Sequence, residues 1–304
     1  MVKPNQTDIV LLTLPGNEAQ GETLAALLAC PTAPVLLHSF PDGETLVTVP
    51  EGLQDRCVIL VCTLDHPDSK LAPLLFAADA ARDLGARKVG LVAPYLAYMR
   101  QDIRFAPGQA ISSRTFATVL SRHIDFLATV DPHLHRNHAL EPLFKLPCAA
   151  IAAAPAIADW IAQSVPKPLL IGPDSESEQW IAAVAQRLGA PYLVLEKTRR
   201  GDRDVSVSEI DAGAWAQHTP VLLDDILSTA RTMIAAVQRL RQAGLAAPIC
   251  IAVHPILSGD ALPALMAAGA ARVVSCNTIS HSSNAIDVMP LIAAALPLHC
   301  LPPA

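Results

Sequence analysis

PVLLDDILSTARTMIAAVQRL, residues 220–240, carries a complete strand–turn–helix unit. An apolar run ends on Asp224 and Asp225, and a polar turn holds Ser228 and Thr229. Apolar residues then recur at helical spacing from about Ala230. The first N–H groups of a helix lack intrahelical acceptors and favour an anion. The hydroxyls of Ser228, Thr229 and Thr232 add donors suited to phosphate oxygens. Two carboxylates repel a phosphate, but they suit a sugar diol or a cation bridging to a diphosphate. By itself the segment reads equally as an ordinary strand–turn–helix with Ser228 or Thr229 as N-cap.

The same alternation runs outward in both directions. DIVLLTL (8–14), CVILVC (57–62), KVGLVAPY (88–95) and DFLATVD (125–131) read as strands, as does TLVTVP (45–50). ETLAALLAC (22–30), KLAPLLFAADAARDLGA (70–86) and residues 113–123 read as helices between them. A second set follows about residue 150: strands PLLIGPD (168–174), PYLVLEK (191–197), PVLLDD (220–225), PICIAVH (248–254) and ARVVSCN (271–277). Its helices cover 178–188 and start near Thr229 and Asp260. Strands apolar on both faces and joined through helices imply mostly parallel sheets covered on both sides. The pattern predicts two tandem α/β domains, residues 1–150 and 151–304, a size division usual for 304 residues. DFLATVDPH and KPLLIGPDS each end a strand on an aspartate, and ligands of such sheets sit at carboxyl strand ends.

Composition excludes several classes. The chain is 52% hydrophobic, 16% charged and 4% aromatic, with a net charge of −6. That supports a large core, and it argues against a nucleic-acid partner, which calls for basic patches or aromatic platforms. No apolar run is long enough to cross a membrane, and MVKPNQTDIVLLTLPG reads as a first strand, so the expected location is the cytoplasm. Seven scattered cysteines without a CxxC pair read as reduced core thiols.

Other polar groups stand at strand ends. FPDGE (40–44) reads as an Asp-Gly hairpin turn, or as carboxylates facing a nucleotide. Arg100 and Gln101 follow a strand, where a guanidinium suits bidentate phosphate binding; the alternative is a surface ion pair among Arg100, Asp102 and Arg104. Asp131, His133 and His135 cluster after another strand, without a cysteine or glutamate at zinc-like spacing. Lys197, Arg199, Arg200 and Arg203 form a positive, glycine-containing loop.

In this order the segments FPDGE, PYLAYMRQDIRF (94–105), VDPHLHR (130–136), IGPD (171–174), LEKTRRGDRD (195–204) and VLLDDILSTART (221–232) resemble the ribose-phosphate pyrophosphokinases, over nearly the whole chain. The resemblance implies two tandem phosphoribosyltransferase-like domains. It implies an Mg2+-dependent transfer of diphosphate from ATP to ribose 5-phosphate, giving 5-phospho-α-D-ribose 1-diphosphate and AMP. It assigns Phe40, Asp42, Gly43, Glu44, Arg100 and Gln101 to ATP, and His133 and Asp174 to magnesium. Lys197 and Arg199 become catalytic. Arg199, Asp224, Asp225, Ser228, Thr229, Ala230, Arg231 and Thr232 become the ribose 5-phosphate site. It also implies a homo-oligomer, with a nucleotide site shared between subunits. Arg231 stands where the family loop has glycine, Ser228 where many relatives have aspartate, and Phe105 where the common bacterial form has a basic residue. Glu176 and Ser177 follow Asp174 where glycine is common. These departures mark a divergent branch. A nucleobase phosphoribosyltransferase and a non-catalytic regulatory homologue are the other readings.

Overall fold

A computed structural model describes residues 8–134, 139–195, 198–200, 204–206 and 212–296. The described residues form two compact units, with the chain passing from the first to the second at Ala152.

The first unit contains β1 (Ile9–Thr13), α1 (Glu18–Leu28), β2 (Thr32–Pro34), β3 (Leu36–Ser39), β4 (Thr45–Thr48), β5 (Cys57–Val61), α2 (Pro67–Asp83), β6 (Lys88–Ala93), α3 (Ser112–His123), β7 (Phe126–Val130) and β8 (Cys148–Ile151). Six strands make a parallel sheet in the order β2-β1-β5-β6-β7-β8. The residues of β1, β5 and β7 are buried throughout, as the doubly apolar sequence demands. Gly90 is needed in β6 because a Cβ there would lie 2.0 Å from the Phe126 ring. TLVTVP departs from this frame. Thr45–Thr48 pairs antiparallel with β3 in a separate hairpin. All four residues of β3 are exposed. The FPDGE turn closes this hairpin, with the Phe40 N–H donating to Glu44 O and the Gly43 N–H to Phe40 O.

The second unit contains α4 (Ala154–Ser164), β9 (Pro168–Gly172), α5 (Glu178–Leu188), β10 (Tyr192–Val194), β11 (Thr198–Arg200), β12 (Asp204–Ser206), α6 (Ala212–Trp215), β13 (Thr219–Leu227), α7 (Arg231–Gln242), β14 (Ile249–Pro255), α8 (Ala261–Ala267), β15 (Arg272–Cys276) and β16 (Asn284–Ile286). Its parallel sheet runs β10-β9-β13-β14-β15-β16, and β11 and β12 form an antiparallel hairpin. Leu169, Ile171, Leu222, Met233, Val237 and Leu265 are among the residues of its buried core.

The last described helix, α9 (Met289–Ala295), packs against α1, β7 and β8 of the first unit. The sequence reading placed it in the second domain. Its buried Met289, Ile292 and Ala293 find their apolar partners on the first instead. Among the described residues no helix is long and apolar enough to cross a membrane. Cys30, Cys57, Cys62, Cys148, Cys250 and Cys276 are free thiols.

Candidate functional site

The sheet order of the second unit reverses between β9 and β13. From β9 the chain moves outward to β10, then returns to β13 on the other side. A reversal of this kind opens a crevice at the carboxyl strand ends. Asp174 follows β9 there, and Asp224 and Asp225 lie toward the carboxyl end of β13. Burial raises the Asp224 carboxyl well above the usual carboxylate range, and the charges of Asp225 and Asp174 raise it further. The Asp225 N–H, at 3.0 Å from Asp224 Oδ1, opposes the shift. Gly172 permits a close approach: a Cβ there would lie 2.3 Å from Ser177 Oγ. That hydroxyl donates to the Asp174 carbonyl at 2.6 Å, so Ser177 holds the turn that carries Asp174.

The loop after β13 leads directly into α7. Ala230 occupies the N-cap at φ 56, and no side chain caps the helix. The reading of Ser228 or Thr229 as N-cap is therefore overturned: the left-handed residue at the helix start is Ala230. Ser228 and Thr232 are half-buried, and Thr229 and Arg231 are exposed. The second unit thus brings Asp174, Asp224 and Asp225 together beside the loop Ser228–Thr232. Arg199 lies in β11, paired with Val205 of β12. Lys197 and His135 lie outside the described residues.

In the first unit the expected nucleotide residues stand on two features. Phe40, Asp42, Gly43 and Glu44 occupy the exposed tip of the β3–β4 hairpin, where Asp42 Oδ1 accepts from the Glu44 N–H at 3.1 Å. Arg100 and Gln101 follow β6, and His133 follows the neighbouring β7. Gln101 is held by the start of α3. Its carbonyl accepts from the Ser113 N–H at 3.3 Å, and its Oε1 from Ser112 Oγ at 2.7 Å. Gln101, Ile103, Phe105, Gln109 and Ser112 line a cavity of about 390 Å³. Gln109 closes its loop by accepting from the N–H groups of Phe105 and Ala106. At the corresponding reversal of this sheet, between β1 and β5, the chain's own polar groups bond one another. Buried Asn17 accepts from the Thr63 N–H at 3.2 Å and donates to Gln20. The sequence motifs carried no sign of these bonds.

Among the described residues no group of three or more His, Cys, Asp or Glu side chains is arranged as a metal cage. Asp174, Asp224 and Asp225 supply carboxylate oxygens, the ligand type that a hard divalent cation takes alongside water. After burial, the charges of Asp225 and Asp174 are what raise the Asp224 carboxyl, a repulsion that positive charge placed there would offset.

Comparison with known proteins gives a consistent result. Residues 9–123 match the N-terminal domain of ribose phosphate pyrophosphokinase, and residues 149–289 match the phosphoribosyl transferase domain. The ribose-phosphate pyrophosphokinase of Methanopyrus kandleri is 34% identical over 293 residues, covering 95% of this chain and 98% of that protein. That of Halobacterium salinarum is 35% identical over 292 residues, covering 94% of this chain and 100% of the relative. The crystal structure of phosphoribosylpyrophosphate synthetase from Mycobacterium smegmatis superposes with a TM-score of 0.81 at 24% identity, over 95% of this chain and 97% of that one. At that identity the superposition speaks for the fold.

Proposed function

The chain belongs to the ribose-phosphate pyrophosphokinase family, and from that membership we propose that it transfers the diphosphate of ATP to ribose 5-phosphate. The observation that carries the site assignment is the crevice of the second unit, where three carboxylates adjoin an uncapped helix start. In this reading the 5-phosphate lies on the Ser228–Thr232 loop, where hydroxyls and backbone N–H groups meet it. The ribose diol takes Asp224 and Asp225. The exposed Arg231, in the first turn of α7, adds a cation on the phosphate side. Phe40, Asp42, Gly43, Glu44, Arg100 and Gln101 bind ATP.

The anomeric hydroxyl attacks the β-phosphorus, an O1–Pβ bond forms as the bond from Pβ to the oxygen of departing AMP breaks, and the hydroxyl proton passes to solvent. Negative charge builds on the transferred group and on AMP, and Lys197 and Arg199 offset it. Positioning supplies the rest of the acceleration. Asp174 and His133 are the residues assigned to magnesium, with Asp224 and Asp225 adjoining Asp174. When bound, the ion supplies positive charge against the diphosphate oxygens. The enzyme is also proposed to be a cytoplasmic homo-oligomer. The exposed Leu36, Phe40 and Leu46 on the β3–β4 hairpin support association, which a solution mass measurement tests.

The test follows AMP and the diphosphorylated sugar by chromatography. Both should appear only when ribose 5-phosphate, ATP and magnesium are present together. Folded protein that forms neither product with any of several nucleotide donors would falsify the proposal. Lys197→Ala should abolish nearly all turnover, while near-normal turnover would remove Lys197 from the mechanism.

A further inference from the structure

The loop assigned to the sugar phosphate is held from one side by the segment that follows β14. In the β13–β14 ladder Ile226 pairs with His254 and Leu227 with Pro255. The pairing then continues beyond both strands. The Leu257 N–H donates to Leu227 O at 2.7 Å, and the Ser258 N–H donates to Ser228 O at 3.1 Å. A peptide is planar and trans, so its N–H points opposite to its carbonyl. Holding the carbonyls of Leu227 and Ser228 toward Leu257 and Ser258 therefore turns the N–H groups of Ser228 and Thr229 the other way. That is the β9 flank of β13, where the crevice opens. Two successive N–H groups on one side make a concavity suited to an anion.

The bracing segment is itself fixed at both ends. Leu257 has a positive φ of 40, a strained conformation for a branched side chain. Its side chain is buried in the same core as Leu227, Ala230 and Met233, which holds it there. At the other end a tight turn joins the Ile256 N–H to His254 O at 3.1 Å. His254 is 1% exposed, and its Nδ1 lies 2.9 Å from Oγ1 of fully buried Thr278. Thr278 has one hydroxyl proton, which it donates to Val253 O at 2.7 Å. A carbonyl only accepts, so Thr278 Oγ1 must accept from His254 Nδ1–H. That bond fixes the tautomer and the ring orientation at the end of β14.

We propose that His254 and Thr278 are positioning residues for the acceptor site, acting through Leu257 and Ser258 on the backbone of Ser228 and Thr229. The inference rests on the sugar-phosphate reading of that loop. Thr278→Val preserves shape and removes the acceptor for His254, whereas Thr278→Ser retains it. His254→Asn keeps an N–H near the Nδ1 position, and His254→Leu does not. The experiment measures ribose 5-phosphate binding by calorimetry, and KM for each substrate with kcat, on variants whose folded fraction is checked by thermal melting.

Thr278→Val and His254→Leu should weaken sugar-phosphate binding and raise its KM about tenfold, a difference of about 1.4 kcal/mol. The KM for ATP should stay within about twofold, and Thr278→Ser and His254→Asn should remain close to wild type. If Thr278→Val does not fold, the two His254 variants carry the comparison. Equal impairment by removing and conservative variants, or a fall in kcat with KM unchanged, overturns the inference. Wild-type protein that binds ribose 5-phosphate, shows this variant pattern in binding and forms no product overturns the proposed activity alone. Wild-type protein that binds no sugar phosphate overturns both.

Discussion

Asp224 lies on a strand that buries it, beside two other carboxylates, so its ionisation opposes folding. The sign follows from proton linkage. Its folded value is raised above the ordinary 3.8, so the stability it contributes is fully present below that pH and is lost as pH rises through the raised value. At neutral pH, above the ordinary value, that stability is diminished, a cost that asparagine in its place does not carry. In EDTA at pH 7, Asp224→Asn should therefore melt above the wild type, by roughly 2–4 °C for each kcal/mol released. With magnesium proposed at Asp174, beside Asp224, the ion should raise the Tm of the wild type by more than that of the variant. Calorimetric scans with and without magnesium check this, and an equal magnesium gain in both proteins would remove Asp224 from any cation site. The carboxylates of Asp224 and Asp225 were legible as a pair at a strand end. Their partnership with Asp174 was not, because it depends on β9 and β13 being neighbours across about fifty intervening residues. Nor did any local signal mark Ala230 as left-handed, since alanine carries no preference for that region.

Helices and strands with a one-sided or wholly apolar pattern were legible, and the departures have local causes. Leu46 and Val47 look like core residues, yet Leu46 is 53% exposed because β4 pairs only with β3. The short strands β2 and β8 have too few residues for a period to show. Helix α9 was not read from the sequence, and its partner is set by tertiary packing. Removing the Ile292 side chain should cost the first unit roughly 2–5 kcal/mol, the usual range for emptying such a buried site. Urea unfolding of Ile292→Ala measures it, and a loss under 1 kcal/mol would mean that α9 contributes little there. The end of α1 offers the opposite change. Ala29 sits at φ 51 as a left-handed C-cap, its N–H bonded to Ala25 O and Ala26 O. Glycine is the usual residue at such a position, so Ala29→Gly should stabilise by about 1 kcal/mol. A destabilised Ala29→Gly variant in the same urea series would contradict the strain argument.

At the scale of the whole molecule, Cys62 and Cys250 behave alike despite their separation in sequence. Burial pushes the thiols of Cys62 and Cys250 from 9.0 up to about 12. At neutral pH both are protonated, folded or unfolded, and their packing stability is intact. Above about pH 9 the unfolded chain releases these protons while the folded chain retains them. Stability is then lost progressively until pH passes the folded value near 12. Each thiol should steepen the alkaline decline by up to about 1.4 kcal/mol per pH unit, and replacing it with alanine should remove that increment. The two residues also report on different parts of the chain, Cys62 on the first unit and Cys250 on the second. If the units unfold in separate transitions, Cys62→Ala should flatten the pH dependence of one and Cys250→Ala that of the other. If they unfold together, both variants should flatten the single transition equally. Denaturant unfolding between pH 8 and pH 11 distinguishes these outcomes. A decline as steep in the double variant as in the wild type would assign the alkaline instability to the lysines and tyrosines instead.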